Sequence, residues 1–246
     1  ITPLGHATVL IEYKGITLMT DPLFWSSSVF MKRYTPCAIA SECMPSVDFI
    51  MLSHDHPDHC HVASLRTIYN KNQDVTCVCP LYMNSIIKRS GIHIIDEKTW
   101  WQATTYYKKG VKITLVCLPA SHWSMHGLGY AKNKTLWCSW AIILDDSCLI
   151  YFAGDTGYDD HFESIAEEYG SFDCALLPIA PIYPIAHNKE SHLDPALAIK
   201  AFIDLRAKIF IPIHWGVLAF GTESLMYPLQ ETRRMLKEQG DRKSVV

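Results

Sequence analysis

The chain breaks into short apolar runs, each closed by a turn former or a polar cluster. Residues 6–13 (HATVLIEY) are β-branched and apolar and predict a strand. Lys14 and Gly15 make a turn, and residues 16–20 return as a second strand. Further strands are predicted over 49–52, 75–78, 92–95, 111–119, 136–144, 148–153, 174–179 and 209–213. Helical spacing marks 62–71, 81–90 (stopped by Gly91), 162–169 and 228–239. One more helix opens at Asp194-Pro195, an acceptor at the N-cap followed by proline in the first turn, and runs to about Leu205. Strands interspersed with helices, with no linker or repeat, predict a layered α/β fold occupying 1–246 as a single domain.

The polar residues that matter fall where these strands end. Residues 53–59 read Ser-His-Asp-His-Pro-Asp-His, directly behind the apolar run at 49–52. Alternation places His54 and His56 on one side of an extended backbone. Pro57 bends the chain and lets Asp58 and His59 point elsewhere. One loop can thus offer two imidazoles to one cation and a carboxylate plus an imidazole to a second, a donor set that suits zinc, iron or manganese. A loop that is merely rich in histidine is the bland alternative. His122, Asp155 and His214 also stand just past apolar strands, where ligands bind in layered α/β folds. Asp21 ends the strand at 16–20. It is read either as a turn former or as a group that orients a ligating histidine from behind.

Composition narrows the function. Of the 246 residues 49% are hydrophobic and 19% charged, enough for a sizeable core. The net charge of −3 with scattered Lys and Arg argues against a nucleic-acid partner. Nine cysteines without a C-x-x-C pair are expected to be reduced and mostly buried, which fits a cytoplasmic location. No apolar run is long enough for a transmembrane helix. The chain begins at Ile1 without methionine, so a preceding segment is expected, and any targeting signal in it is not assessable. The stretch 23–46 holds Phe24, Trp25, Phe30, Met31 and Tyr34 beside Lys32 and Arg33. It is either a flap on the core or the rim of a site for a greasy substrate or membrane surface.

The stretches 5–10 (GHATVL), 20–22 (TDP), 53–59, 152–158 (FAGDTGY), 192–195 (HLDP) and 213–216 (IHWG) resemble the metallo-β-lactamase superfamily, over nearly the whole chain. Within it the chain looks closest to the branch of phospholipases D that hydrolyse N-acylphosphatidylethanolamine. The ascorbate-phosphate lactonases are a neighbouring branch. The resemblance implies a four-layer αββα sandwich, two mixed sheets flanked by helices. It implies two Zn²⁺ ions, with Mn²⁺ or Fe²⁺ as substitutes: one on His54, His56 and His122, the other on Asp58, His59 and His214, with Asp155 bridging. It places His192 beside the substrate phosphate. It also implies a binuclear hydrolase acting on a phospholipid or a small soluble phosphodiester, ester or lactone, with peripheral membrane contact and a homodimer as compatible arrangements. Pro57 and Cys60 depart from the residues that commonly flank the family's metal histidines, and the stretches 124–134 and 181–190, expected at the site mouth, look unlike the mammalian lipase.

Overall fold

The computed structural model describes residues 1–26, 31–127, 129–184, 190–238 and 240. The first half forms β1 (Thr2–Gly5), β2 (Thr8–Tyr13), β3 (Ile16–Thr20), β4 (Phe49–Met51), β5 (Thr76–Pro80) and β6 (Ile94–Lys98), joined in that order into one sheet. β1 to β3 pair antiparallel, and β3 to β6 pair parallel. The second sheet runs β12 (Phe210–Ile213), β11 (Cys174–Pro178), β10 (Cys148–Phe152), β9 (Ser139–Leu144), β8 (Val111–Leu118) and β7 (Ala103–Lys108). Here β7 to β10 are antiparallel and β10 to β12 parallel. Parallel neighbours require a crossover, and the helices supply it.

Period-two alternation assigns the layers. Val9 and Ile11 enter the core between the sheets, whereas Leu10 packs outward. Trp140, Ile142 and Leu144 fill the same inter-sheet core, while Ala141 faces the other way. Under the first sheet lie α1 (Val62–Lys71), through Leu65 and Ile68, and α2 (Asn84–Ile87), through Ile86 and Ile87. Over the second lie α3 (His161–Tyr169), α4 (Pro195–Asp204) and α5 (Tyr227–Glu238), through Phe162, Phe202 and Leu229 among others. The result is the four-layer αββα sandwich. Each fully buried large apolar side chain contributes about 1.5–3 kcal/mol. A one-residue slip of β9 would turn Trp140 out of the inter-sheet core, so the strand register is firmly set.

Asp194 caps α4 as expected, its Oδ1 accepting from Leu197 N at 2.9 Å. Three expectations shift. The strand expected over 6–13 starts at Thr8 as β2, because His6 lies in the turn after β1, a strand not anticipated from the sequence, with φ of 57°. The helix expected over 81–90 shortens to α2 and a 3₁₀ turn, Lys88–Ser90. Leu81 N is taken by Lys98 O at 3.0 Å, and Asn84 N by Glu97 Oε1 at 2.9 Å, so the sheet edge claims the first turn. β7 was not anticipated. Its residues alternate between exposed and half-buried, so this edge strand carries no continuous apolar face. Gln239, the expected end of the last helix, lies outside the described residues.

Candidate metal centre

The polar residues meet at one end of the sandwich. Residues 52–61 leave β4 across the mouth between the sheets. Leu52 O accepts from Trp140 Nε1 and Ser53 O from Cys138 N, both at 2.9 Å, so the second sheet pins the start of this loop. His56 O accepts from His59 N at 2.9 Å and Cys60 N at 2.8 Å, a tight turn that folds Asp58 and His59 away from His54 and His56. His122 follows β8, Asp155 follows β10, His214 follows β12, and His192 precedes α4. Gly154 permits this convergence. It has φ of +60°, and a Cβ there would meet Ser53 Cβ at 2.3 Å.

Two donor sets form on either side of Asp155, and the donor atoms of each lie within 4.8 Å of one another. The first is His54, His56 and His122 with Asp155. His56 Nδ1 lies 2.8 Å from His54 Nε2 and 3.3 Å from His122 Nε2, and His122 Nε2 lies 3.9 Å from Asp155 Oδ2. The second is Asp58, His59 and His214, joined by His6. Asp58 Oδ2 is 3.3 Å from His59 Nε2 and 3.9 Å from His214 Nε2. Asp155 reaches into this set too, its Oδ2 3.3 Å from His59 Nε2 and its Oδ1 3.1 Å from His214 Nε2. Donors bound tetrahedrally at about 2.0–2.1 Å from a zinc ion sit about 3.3–3.4 Å apart, so these spacings fit one ion per set.

The outer edges of the rings supply the test of fit. His59 Nδ1 donates to Asp21 Oδ2 at 2.7 Å, His122 Nδ1 to Ser191 O at 2.8 Å, and His214 Nδ1 to Ala180 O at 3.0 Å. Ser53 gives its hydroxyl hydrogen to Asp21, so His54 Nδ1 donates to Ser53 Oγ at 2.8 Å. Each of these four rings carries its hydrogen outward and turns the Nε2 lone pair inward. His56 is the exception, with Nδ1 inward and the edge of Trp123 packed on it at a ring-centroid distance of 4.3 Å. Converging lone pairs repel unless something positive lies between them. His59 Nε2, His214 Nε2 and Asp155 Oδ1 are buried without a hydrogen-bond partner, which is the condition a cation would relieve.

Electrostatics point the same way. Burial would raise the Asp58 and Asp155 carboxyls, but the neighbouring imidazoles outweigh it and hold both well below the usual carboxylate range. Burial would lower His59, but Asp155 and Asp58 outweigh it and raise its pKa well above the ordinary value. Without a metal, then, a proton on His59 Nε2 supplies the positive charge in the second set, and an ion bound there would replace it. In the first set burial pushes His54 and His122 well down and His56 to about 4, which leaves neutral imidazoles ready to ligate.

The seven residues expected to ligate are therefore brought together. His192 joins them at the mouth: its Nδ1 is 3.7 Å from Asp155 Oδ2, and its side chain keeps 19% exposure. Asp21 proves to be the orienting group. It is fully buried, and besides His59 its oxygens accept from Ser53 N at 2.8 Å and Ser53 Oγ. His6 was missed. Its Nε2 lies 2.9 Å from Asp58 Oδ2, yet in sequence it is one polar residue opening an apolar run. The sequence signals were the preceding Gly5, which ends β1 with a φ of +108°, and the place of His6 in the stretch 5–10 that carries the family resemblance. The aromatic stretch divides: Phe24 is buried in the core, while Trp25 and Tyr34 are exposed and line a cavity of about 700 Å³ with Arg33 and Ile39. Phe30 lies outside the described residues. Of the two stretches expected at the mouth, 124–134 reaches the metal loop through His126 Nδ1, which donates to Asp55 O at 2.7 Å; residues 185–189 of the other are not described.

Comparison with known proteins agrees with this geometry. The family model described as "Beta-lactamase superfamily domain" matches residues 17–215. The protein named N-acyl-phosphatidylethanolamine-hydrolyzing phospholipase D 1 of Caenorhabditis elegans is 35% identical over 254 residues, covering 98% of this chain and 71% of that protein. The mitochondrial protein of the corresponding name from Saccharomyces cerevisiae is 33% identical over 245 residues, and the chain spans 52% of its length. Among solved structures, a metallo hydrolase from the archaeon Ignicoccus hospitalis superposes with a TM-score of 0.70 at 20% identity, over 100% of this chain and 93% of that one, which bears on the fold alone. With the family model spanning more than half of the chain and a relative at this identity, the chain belongs to the metallo-β-lactamase superfamily.

Proposed function

We propose that the protein is a binuclear metal-dependent phosphodiesterase of phospholipase D type, acting on N-acylphosphatidylethanolamine-like lipids. The carrying observation is the pair of inward-facing donor sets that share the single carboxylate of Asp155. His54, His56 and His122 would hold one ion and Asp58, His59 and His214 the other, with zinc the best match to these nitrogen and oxygen donors. When bound, such a pair supplies Lewis acidity toward phosphoryl oxygens and lowers the pKa of water.

The chain's own residues do the rest. Asp155 places a negative charge between the two positions and so sets their spacing. Asp21 and Ser53 fix the His59 and His54 tautomers that the site requires. Asp58 and Asp155 bring only two negative charges, so a centre that held two divalent ions would stay net positive, which would favour a phosphate and the charge that develops on it. His192, mostly buried beside Asp155 with 19% of its side chain exposed, can hydrogen-bond a phosphoryl oxygen. The sequence has no G-x-S-x-G nucleophile, and in this reading water is the attacking group.

The lipid reading draws on the relatives' names and on one cavity. A space of about 480 Å³ between the edge strands β1 and β12 is lined by Pro3, Leu4, His6, Pro212, Trp215 and Val217. It is apolar and touches the second donor set through His6, so an acyl chain could lie beside a phosphate at the metals. Among the described residues no helix is long and apolar enough to cross a membrane. The test is kcat/KM of the metal-loaded protein across phosphodiesters of increasing acyl length, beside soluble phosphodiesters, esters and lactones. A steep rise with acyl length is expected, because each buried methylene contributes about 0.8 kcal/mol. No dependence on acyl length, with turnover of a soluble ester or lactone, would replace the lipid substrate by a small soluble one.

A further inference from the structure

We propose that His6 is a positioning residue for the second donor set: its Nε2–H donates to Asp58 Oδ2 and holds that oxygen between His59 and His214. The inference rests on the metal-binding reading above and concerns a residue outside its seven ligands.

The geometry carries it. His6 Nε2 lies 2.9 Å from Asp58 Oδ2, the same oxygen that faces His59 Nε2 at 3.3 Å and His214 Nε2 at 3.9 Å. A carboxylate oxygen has two lone-pair directions, so Oδ2 can accept from His6 and still offer a pair to an ion. The four histidines with outward Nδ1–H groups are each steadied by an oxygen behind them. For Asp58, the donor from outside the ligands is His6. Without it the carboxylate could rotate, and the second position would lose its one full negative charge that is not shared with the first.

His6 is itself held on several sides. Its carbonyl accepts from His214 N at 3.0 Å, and its ring centroid lies 4.1 Å from that of His214. It is 4% exposed, and its φ of 57° is left-handed, a conformation non-glycine residues adopt only where their surroundings impose it. Asp21 and His214 also have positive φ, 31° and 61°, so three of the residues that build this side of the site sit in strained backbone. The turn after β1 therefore spends conformational freedom to aim one imidazole at one carboxylate.

Two substitutions separate the donor from its alternatives. His6→Asn tolerates a left-handed backbone but is too short to reach Asp58, whereas the amide of His6→Gln reaches about as far as Nε2. Each metal-free protein is titrated with Co²⁺ alone, following its visible absorption, with a competing chelator to resolve the two affinities and thermal unfolding of the metal-free form as the control for folding. His6→Asn should weaken the second ion by about 10–100-fold and leave the first unchanged, the usual effect of removing a partner of a ligand. His6→Gln should restore most of the loss. Unchanged affinity for both ions in His6→Asn overturns the role and leaves His6 a packing residue. Equal loss in both variants also overturns it, because the ring itself would then be a ligand. Equal loss of both ions together with a lowered metal-free unfolding temperature in both variants overturns it in favour of a purely structural role. A wild-type chain that takes up no ion sinks the metal reading instead, and the inference with it.

Discussion

Replacing Asp21 with Asn tests whether the second layer of the site sets the tautomers of the first. The change preserves shape and removes one charge at a fully buried position. Asp21 accepts from three donors: Ser53 N at 2.8 Å, His59 Nδ1 at 2.7 Å and the Ser53 hydroxyl. An asparagine offers one oxygen and one NH₂. If the NH₂ faces His59, two donors oppose each other, and the ring must move its hydrogen to Nε2, the atom that faces Asp58 and Asp155. If the NH₂ faces the backbone, it opposes Ser53 N–H, which cannot change. The first orientation puts a hydrogen on the nitrogen that should ligate, and the second leaves a buried donor unsatisfied. A lost hydrogen bond to a charged group costs about 1.5–3 kcal/mol, and losing such an outer partner costs about 10–100-fold in metal affinity. Chelator competition should therefore show Asp21→Asn weakening the ion held by His59 by at least about tenfold. The His54 position should weaken less, since its contact with Asp21 runs through Ser53. Wild-type affinity at both positions would refute the argument that Asp21 fixes the His59 tautomer.

Two further outcomes follow from the same geometry. Because burial leaves His54, His56 and His122 neutral while Asp155 and Asp58 keep His59 protonated, only the second ion must displace a proton near neutral pH. Its affinity should rise by about tenfold per pH unit below the raised His59 pKa, and the first ion's should stay flat above about pH 5; equal slopes in a pH series of Zn²⁺ titrations would contradict the assignment. Gly154→Ala should lower both the unfolding temperature and the metal content, since its methyl would stand 2.3 Å from Ser53 Cβ at a φ of +60°; unchanged values in calorimetry and elemental analysis would show that the loop yields freely.

What the sequence revealed, and what it hid, follows from how local each signal is. The loop 53–59 is legible because its donors are contiguous, and a proline among them redirects the chain. His122, Asp155 and His214 are scattered, but each follows an apolar strand, and the fold gathers such ends on one rim. Asp21 was ambiguous because an aspartate after a strand looks the same whether it forms a turn or faces a histidine across the sheet. Only the 2.7 Å contact with His59, 38 residues away, decides it. His6 stood within the stretch 5–10 that carries the resemblance, but its role was not legible because its partner Asp58 is 52 residues distant and its neighbours read as a strand. β7 escaped because an exposed edge strand need not bury an apolar face, and its backbone pairing with β8 has no local signature. The apolar cavity between β1 and β12 joins strands far apart in sequence and so has no local signature, although the stretch 23–46 contributes Thr35, Pro36 and Ala38 to it and lines a second cavity through Trp25 and Tyr34.

The central claim is that two ions share Asp155. Elemental analysis of the wild-type chain, purified without chelator and resolved by size from free metal, measures it most directly. The account requires two divalent transition-metal ions per chain, and loss from both positions in Asp155→Asn. One ion or none in the wild type, or two retained by Asp155→Asn at undiminished affinity, would contradict it.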